Sequence, residues 1–156
     1  MTGRPIAGPA NDQPHGQPLE RETMKTAGRQ LTVLVVDDES SICRALSIAF
    51  QRAGCHALSA ESGEAALTLL STRRVDALVL DLRIPDMRGD ALLHLAAALQ
   101  PHLRQQTLFI TGDVTDRATA LIGACGAPYV RKPFQLVDVI ETVFALVPLG
   151  GDARRA

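Results

Sequence analysis

Tryptophan is absent from the 156 residues, tyrosine occurs once, and aromatic residues make up 3% of the chain. A core built from this sequence must be mostly Val, Leu, Ile and Ala, and a hydrophobic content of 46% suffices to build one. Neither sign of charge is in excess. The formal net charge is −1, so no global field draws the chain to nucleic acid. The basic pairs Arg73-Arg74 and Arg154-Arg155 are too short to change this and read as solvated surface. Cysteine is scarce and odd in number. Cys43, Cys55 and Cys125 form no CxxC, and no His lies at metal-site spacing. They read as reduced thiols packed as small apolar groups in a cytoplasmic protein. No N-terminal h-region is present and no apolar run approaches the ~18 residues of a membrane span, so neither secretion nor membrane insertion is expected.

What the chain does have is alternation. Its length suggests one domain. Residues 1–28 hold Pro5, Pro9, Pro14 and Pro18 among glycines and polar residues. They cannot bury enough apolar surface to offset their ordering entropy, so a disordered leader is expected. A β-branched run, Leu31 to Val36, reads as a first strand and ends in Asp37-Asp38-Glu39. Ser40 or Ser41 is expected to cap a helix to about Arg52, with Ile42, Ala45, Leu46, Ala49 and Phe50 at helical spacing and Gly54 at its end. Cys55 to Ala60 is a weak second strand, and Ser62-Gly63-Glu64 opens a second helix. Val75 to Asp81 is a third strand, apolar enough to be covered on both faces. A third helix, about Arg88 to Leu99, carries Leu92, Leu93, Leu95, Ala96 and Leu99, and Pro101 closes it. Thr107 to Thr111 is a fourth strand. The fourth helix, about Thr115 to Ala124, has few apolar anchors and an internal Gly, so it should be marginal on its own. Pro128 to Arg131 is a short fifth strand, and a last helix spans Leu136 to Val147. Residues 149–156 are tail.

Strands alternating with helices imply an α/β fold, a parallel sheet with helices on both faces. Right-handed crossovers then place every strand's carboxyl end on one edge. Four of those ends carry polar chemistry: Asp37 and Asp38, Asp81, Thr111, and Lys132. Three carboxylates within a few ångströms repel, each close pair by about 4 kcal/mol at an effective dielectric of 20. A hard divalent cation removes the conflict. Mg²⁺ takes oxygen ligands and is typically held by one or two carboxylates plus phosphate oxygens. Asp81 is then left to attack phosphorus as a carboxylate nucleophile, with the Lys132 ammonium and the Thr111 hydroxyl facing the phosphoryl oxygens.

With Val36-Asp37-Asp38, Asp81 with Pro85 and Gly89, Thr111-Gly112-Asp113, and Tyr129 with Lys132-Pro133-Phe134, the chain resembles response-regulator receiver domains, the CheY-like family. The resemblance covers about residues 31 to 147, within a domain set at 29–148. It implies a doubly wound, flavodoxin-like five-stranded sheet in the order 2-1-3-4-5, flanked by five helices. It implies Asp81 as phosphoacceptor, and Mg²⁺ (or Mn²⁺) held by Asp37, Asp38, Asp81 and the backbone carbonyl of Arg83. Thr111 and Lys132 would contact the phosphoryl group, Tyr129 would be the switch residue, and Lys132-Pro133 a cis peptide. A histidine kinase or histidine phosphotransfer protein is the implied donor and a protein the implied target. The nine residues after Val147 are too few for a DNA-binding domain.

Two positions allow sharper expectations. Arg83 can cover the phosphoryl group or pair with Asp113 and slow loss of phosphate. On the last helix, the edge containing Val139 and Leu146 is a candidate homodimer surface, because apolar residues there cover more than the stripe a sheet requires. His15, His56, His94 and His102 show no phosphotransfer motif. Two rival readings remain. A phosphohydrolase of the haloacid-dehalogenase type would need a second Asp where Arg83 stands. A non-phosphorylated pseudo-receiver would not need the five key side chains, all of which are present.

Overall fold

The computed structural model describes residues 30–112 and 115–148. The expected leader and tail, and Asp113, lie outside the described residues. Five strands, β1 (Thr32–Val36), β2 (His56–Ala60), β3 (Ala77–Asp81), β4 (Thr107–Thr111) and β5 (Tyr129–Arg131), alternate with five α-helices. These are α1 (Ser40–Arg52), α2 (Gly63–Thr72), α3 (Gly89–Leu99), α4 (Asp116–Cys125) and α5 (Leu136–Leu146). The strands pair in parallel in the order β2-β1-β3-β4-β5, the order the resemblance implies. Pro101 does more than close α3: it opens a 3₁₀ turn, Pro101–Gln105, that the sequence reading did not include. A proline fits the first turn of such a helix because its missing N–H would have no acceptor there.

The sheet buries both faces. Val33, Val35, Val79, Leu108 and Ile110 pack against Leu46 and Phe50 of α1 and Val139 and Val143 of α5. Leu34, Val36, Leu78, Leu80 and Phe109 face Leu70 of α2, Leu92, Leu93 and Ala96 of α3, and Ile122 of α4. This two-sided cover is why β1 and β3 read as continuous apolar runs rather than alternating ones. Cys43 and Cys55 are buried free thiols, pushed up to about 11 and about 12 chiefly by burial, and so are poor nucleophiles. Among the described residues, no helix is long and apolar enough to cross a membrane.

The helix ends follow local chemistry in part. Ser62 Oγ accepts from the Ala65 amide at 3.1 Å, as its position predicts, and Thr115 does the same for Ala118 at 3.2 Å. Gly54, with φ +95°, follows α1 in a conformation that other residues rarely adopt. The expected Ser40 or Ser41 cap is not made. Glu39 holds the N-cap position without a side-chain capping bond, and Ser40 is already inside the helix. Just before the helix, Asp37 Oδ1 accepts the Glu39 amide at 2.8 Å.

Two apolar assignments change. Leu95 and Leu99 of α3, expected as anchors, are exposed, while Ala97 is buried. The α5 edge expected as a dimer surface is only partly exposed. Val139 is fully buried and Leu146 packs against the core, whereas Leu136 and Val137 are exposed. The helical spacing gives the width of an apolar stripe but not which meridian the sheet lies under. Val139→Ala is therefore expected to cost about 2 kcal/mol, from two lost methyl groups and the cavity they leave. Val137→Ala should stay within ~0.5 kcal/mol of the parent. Urea midpoints of the two variants measure the difference.

Candidate functional site

The strand ends meet as the topology requires. Asp37, directly after β1, is tied to the adjacent strand by its amide on Ala60 O at 3.1 Å. Asp81 is the last residue of β3, and Thr111 the last of β4. All three are buried. Lys132 follows β5, and its amide donates to Thr111 O at 2.9 Å. Its ammonium reaches back across the edge: Nζ lies 2.9 Å from Asp37 Oδ2, 3.0 Å from Asp81 Oδ2 and 2.8 Å from Glu39 Oε1. Carboxylate oxygens of Asp37, Asp38 and Asp81 lie within 4.8 Å of one another, with Asp38 exposed. So Asp37, Asp38, Asp81 and Lys132 are brought together, and Thr111 sits on the adjoining strand end.

The charges do not balance. Three acids, Asp37, Glu39 and Asp81, meet one ammonium, and a fourth, Asp38, lies beside Asp37 and Asp81. Burial raises the Asp37 carboxyl above its usual range, against the Glu39 amide and the Lys132 ammonium, and the Asp81 charge raises it further. Burial alone would lower Lys132. Its bonds to Glu39, Asp37 and Asp81 outweigh that and leave it above the ordinary lysine value. Asp37 Oδ2 meets Lys132 as an ion pair without hydrogen-bond alignment. It is the buried side-chain oxygen left without a hydrogen-bond partner among the described residues. Excess negative charge and an all-oxygen donor set fit a hard divalent cation such as Mg²⁺.

The loop from β3 to α3 is closed at its neck. Arg83 N donates to Asp81 Oδ1 at 3.1 Å, Gly89 N donates to Leu82 O at 2.7 Å, and Arg83 and Arg88 form an isolated antiparallel bridge. Gly89 is dictated by space. A Cβ there would lie 2.6 Å from Asp81 O and 2.9 Å from Leu82 Cα. Arg83 is exposed and, with Glu39, Asp81, Gly112 and Lys132, lines an open pocket of about 360 Å³ over the acid cluster. Its expected partner Asp113 lies outside the described residues. Tyr129 pairs with Phe109 two register positions before Thr111 and Arg131, which puts it on the same sheet face as Thr111, and its side chain is exposed. Lys132-Pro133 is cis, as the resemblance implies.

Two contributors were not assigned from sequence. Glu39 is a direct partner of Lys132, and its place as the third acid after β1 was the available signal. Asp86, in the middle of the β3–α3 loop, accepts two amides of α2. No spacing rule links residues more than twenty positions apart, so nothing in the sequence pointed to it.

The model of the response regulator receiver domain family matches residues 33–144. The chain is 36% identical over 120 residues to the probable transcriptional regulatory protein TcrX of Mycobacterium tuberculosis, covering 77% of this chain and 51% of that one. It is 32% identical over 117 residues to the transcriptional regulatory protein KdpE of the same species, covering 74% and 50%. The chain thus spans about half the length of these curated relatives. Among solved structures, the chemotaxis protein CheY4 of Vibrio cholerae aligns with a TM-score of 0.68 at 25% identity, covering 76% of this chain and 99% of that one.

Gly89→Ala tests how tightly the loop is built. The clash is with backbone, so no rotamer change relieves it, and a loss of about 1–3 kcal/mol in urea unfolding is expected. An unchanged midpoint would show that the Asp81 and Leu82 backbone gives way freely.

Proposed function

Because the chain belongs to the response regulator receiver domain family, whose members are phosphoacceptor signalling switches, we propose that Asp81 takes a phosphoryl group from a phosphohistidine and that the change is read by a protein partner. The donor is a histidine kinase or a histidine phosphotransfer protein. The observation that carries this reading is the placement of Asp81 Oδ2 3.0 Å from Lys132 Nζ within the cluster of Asp37 and Asp38.

An Asp81 carboxylate oxygen forms the new P–O bond. The P–N bond of the phosphohistidine breaks, and the imidazole leaves with the electron pair and regains a proton from solvent. Mg²⁺ (or Mn²⁺), held by Asp37, Asp38, Asp81 and the Arg83 carbonyl, would offset the charge of the incoming phosphoryl oxygens. Lys132 has less exposed surface than a solvated lysine, with an 18% exposed side chain. It is already committed to the site and can trade one carboxylate oxygen for a phosphoryl oxygen. The Thr111 hydroxyl supplies the other contact. Its movement toward the phosphoryl group opens space on its sheet face for Tyr129, which now stands exposed. That shift remodels the surface of α4, β5 and α5. Arg83 at the pocket rim shields the phosphoryl group from water.

The test is incubation with acetyl phosphate and Mg²⁺ followed by intact mass. A gain of one phosphoryl group is expected, absent in Asp81→Asn and after chelation of the metal. No gain in the parent protein would make the chain an interaction module that is not phosphorylated, and continuous turnover of phosphate esters would make it a hydrolase.

Arg83→Ala should shorten the lifetime of the phosphorylated form several-fold while leaving the extent of initial labelling intact. Release of inorganic phosphate over time measures this. An unchanged lifetime would remove Arg83 from the mechanism.

A further inference from the structure

The β3–α3 loop is fastened to a helix for which the proposed chemistry has no role. Asp86 Oδ1 accepts the Gly63 amide at 2.8 Å, and Oδ2 accepts the Glu64 amide at 2.9 Å. These are the first two amides of α2, which have no acceptor within their own helix. The bonds hold the Asp86 carboxyl below its ordinary range. Met87 closes over the same point. A Cβ on Gly63 would lie 2.7–2.8 Å from Met87 Cγ, Cε and Sδ, so the side chain fills the space that glycine leaves.

The other end of this loop is the acid cluster. Arg83 N is bound to Asp81 Oδ1, the Arg83–Arg88 bridge and the Gly89–Leu82 bond close the neck, and Ile84 is buried in the core. A short loop held at neck, middle and tip has little freedom. The backbone of Arg83 and the carboxylate of Asp81 cannot settle around an ion independently of where α2 holds Asp86. Ser62 provides a contrast within the same helix end. Its hydroxyl caps α2 through Ala65 N, but it has no bond to the loop.

We infer that Asp86 is a positioning residue that clamps the β3–α3 loop to the N-terminus of α2, so that ion binding at the acid cluster and the order of that helix end are coupled. The inference rests on the reading of the cluster as a divalent-ion site. Coupling of this kind is reciprocal: if α2 helps to position the ligands, the bound ion must steady α2. Partners that orient ligands typically alter metal affinity by about 10–100-fold when removed.

The experiment measures Mg²⁺ affinity by calorimetry, and amide exchange at Gly63 and Glu64 with and without Mg²⁺, in the parent, Asp86→Ala and Ser62→Ala. Asp86→Ala should bind Mg²⁺ about 10-fold more weakly, while Ser62→Ala should change affinity less than about twofold even where it lowers the thermal midpoint. Mg²⁺ should slow exchange at Gly63 and Glu64 in the parent and not in Asp86→Ala. If Asp86→Ala does not fold, Asp86→Asn, which keeps one acceptor, is read in its place with a smaller loss expected. Unchanged affinity in the Asp86 variants, unchanged exchange on adding Mg²⁺, or an equal loss in Ser62→Ala each overturns the clamp while leaving phosphorylation of Asp81 standing. A parent protein that binds no Mg²⁺ overturns both.

Discussion

One ammonium group joins three stretches of chain that are far apart in sequence. Lys132 Nζ touches the carboxylates of Asp37, Glu39 and Asp81 at 2.8–3.0 Å, and so ties the end of β5 to the ends of β1 and β3. The Coulomb attraction of the two pairs with the buried Asp37 and Asp81 is about 4 kcal/mol each at an effective dielectric of 20, and the pair with the exposed Glu39 is worth far less. Repulsion between the acids is of the same order. The ammonium therefore reduces the strain of the cluster without removing it. What keeps the acids together is the sheet. β1 and β3 are buried on both faces by the aliphatic core, and their ends cannot separate without breaking it. The site is a charge imbalance imposed by packing, and a cation or a phosphoryl–cation pair is the chemistry that would relieve it.

The same imbalance explains why the loop after Asp81 is built so tightly. On the reading of Asp81 as phosphoacceptor, its carboxylate has to be held in a fixed orientation. Asp81 Oδ1 takes the Arg83 amide, and Oδ2 takes Lys132. That geometry needs the chain to turn back at once, and Gly89 lets it do so by approaching the Asp81 carbonyl where no Cβ fits. Phe109 lies 3.2 Å from that same Cβ position. The core residue of β4 and the β3–α3 loop thus lie against each other, and a change in one is felt by the other.

Much of this was legible before any coordinates. β1, β3 and β4 declared themselves as short apolar runs ending in polar groups, and the parallel arrangement followed from alternation with helices. Asp37, Asp38, Asp81 and Lys132 could be assigned to one edge because strand direction alone decides that. The features that escaped are those set by tertiary neighbours. The α1 cap was expected from serine chemistry, but the helix starts at Ser40 itself, with Glu39 at the cap position. Val139 was placed on a surface because a helical stripe has no marked centre until a sheet is laid under it. Leu95 and Leu99 were counted as core because leucine usually is, although α3 buries Ala96 and Ala97 in that region instead. Glu39 and Asp86 have long-range partners, and no local pattern encodes those.

The elements at the β5 side differ from the rest in how they are secured. β5 is a three-residue edge strand with two exposed positions. Its neighbour α4 buries only Ala118 and Ile122. Few apolar contacts and a short ladder are what a segment of low local stability consists of. Yet the backbone of this side is joined to the site directly, because Lys132 N donates to Thr111 O while Lys132 Nζ lies among the acids. On the reading of Asp81 as phosphoacceptor, the residues that would meet the phosphoryl group are consecutive links in one hydrogen-bonded chain that runs into the least anchored part of the fold. A switch needs a rigid place to collect charge and a pliable place to show it. On that reading β1 and β3 supply the first and β5 with α4 the second, joined through the Lys132 side chain.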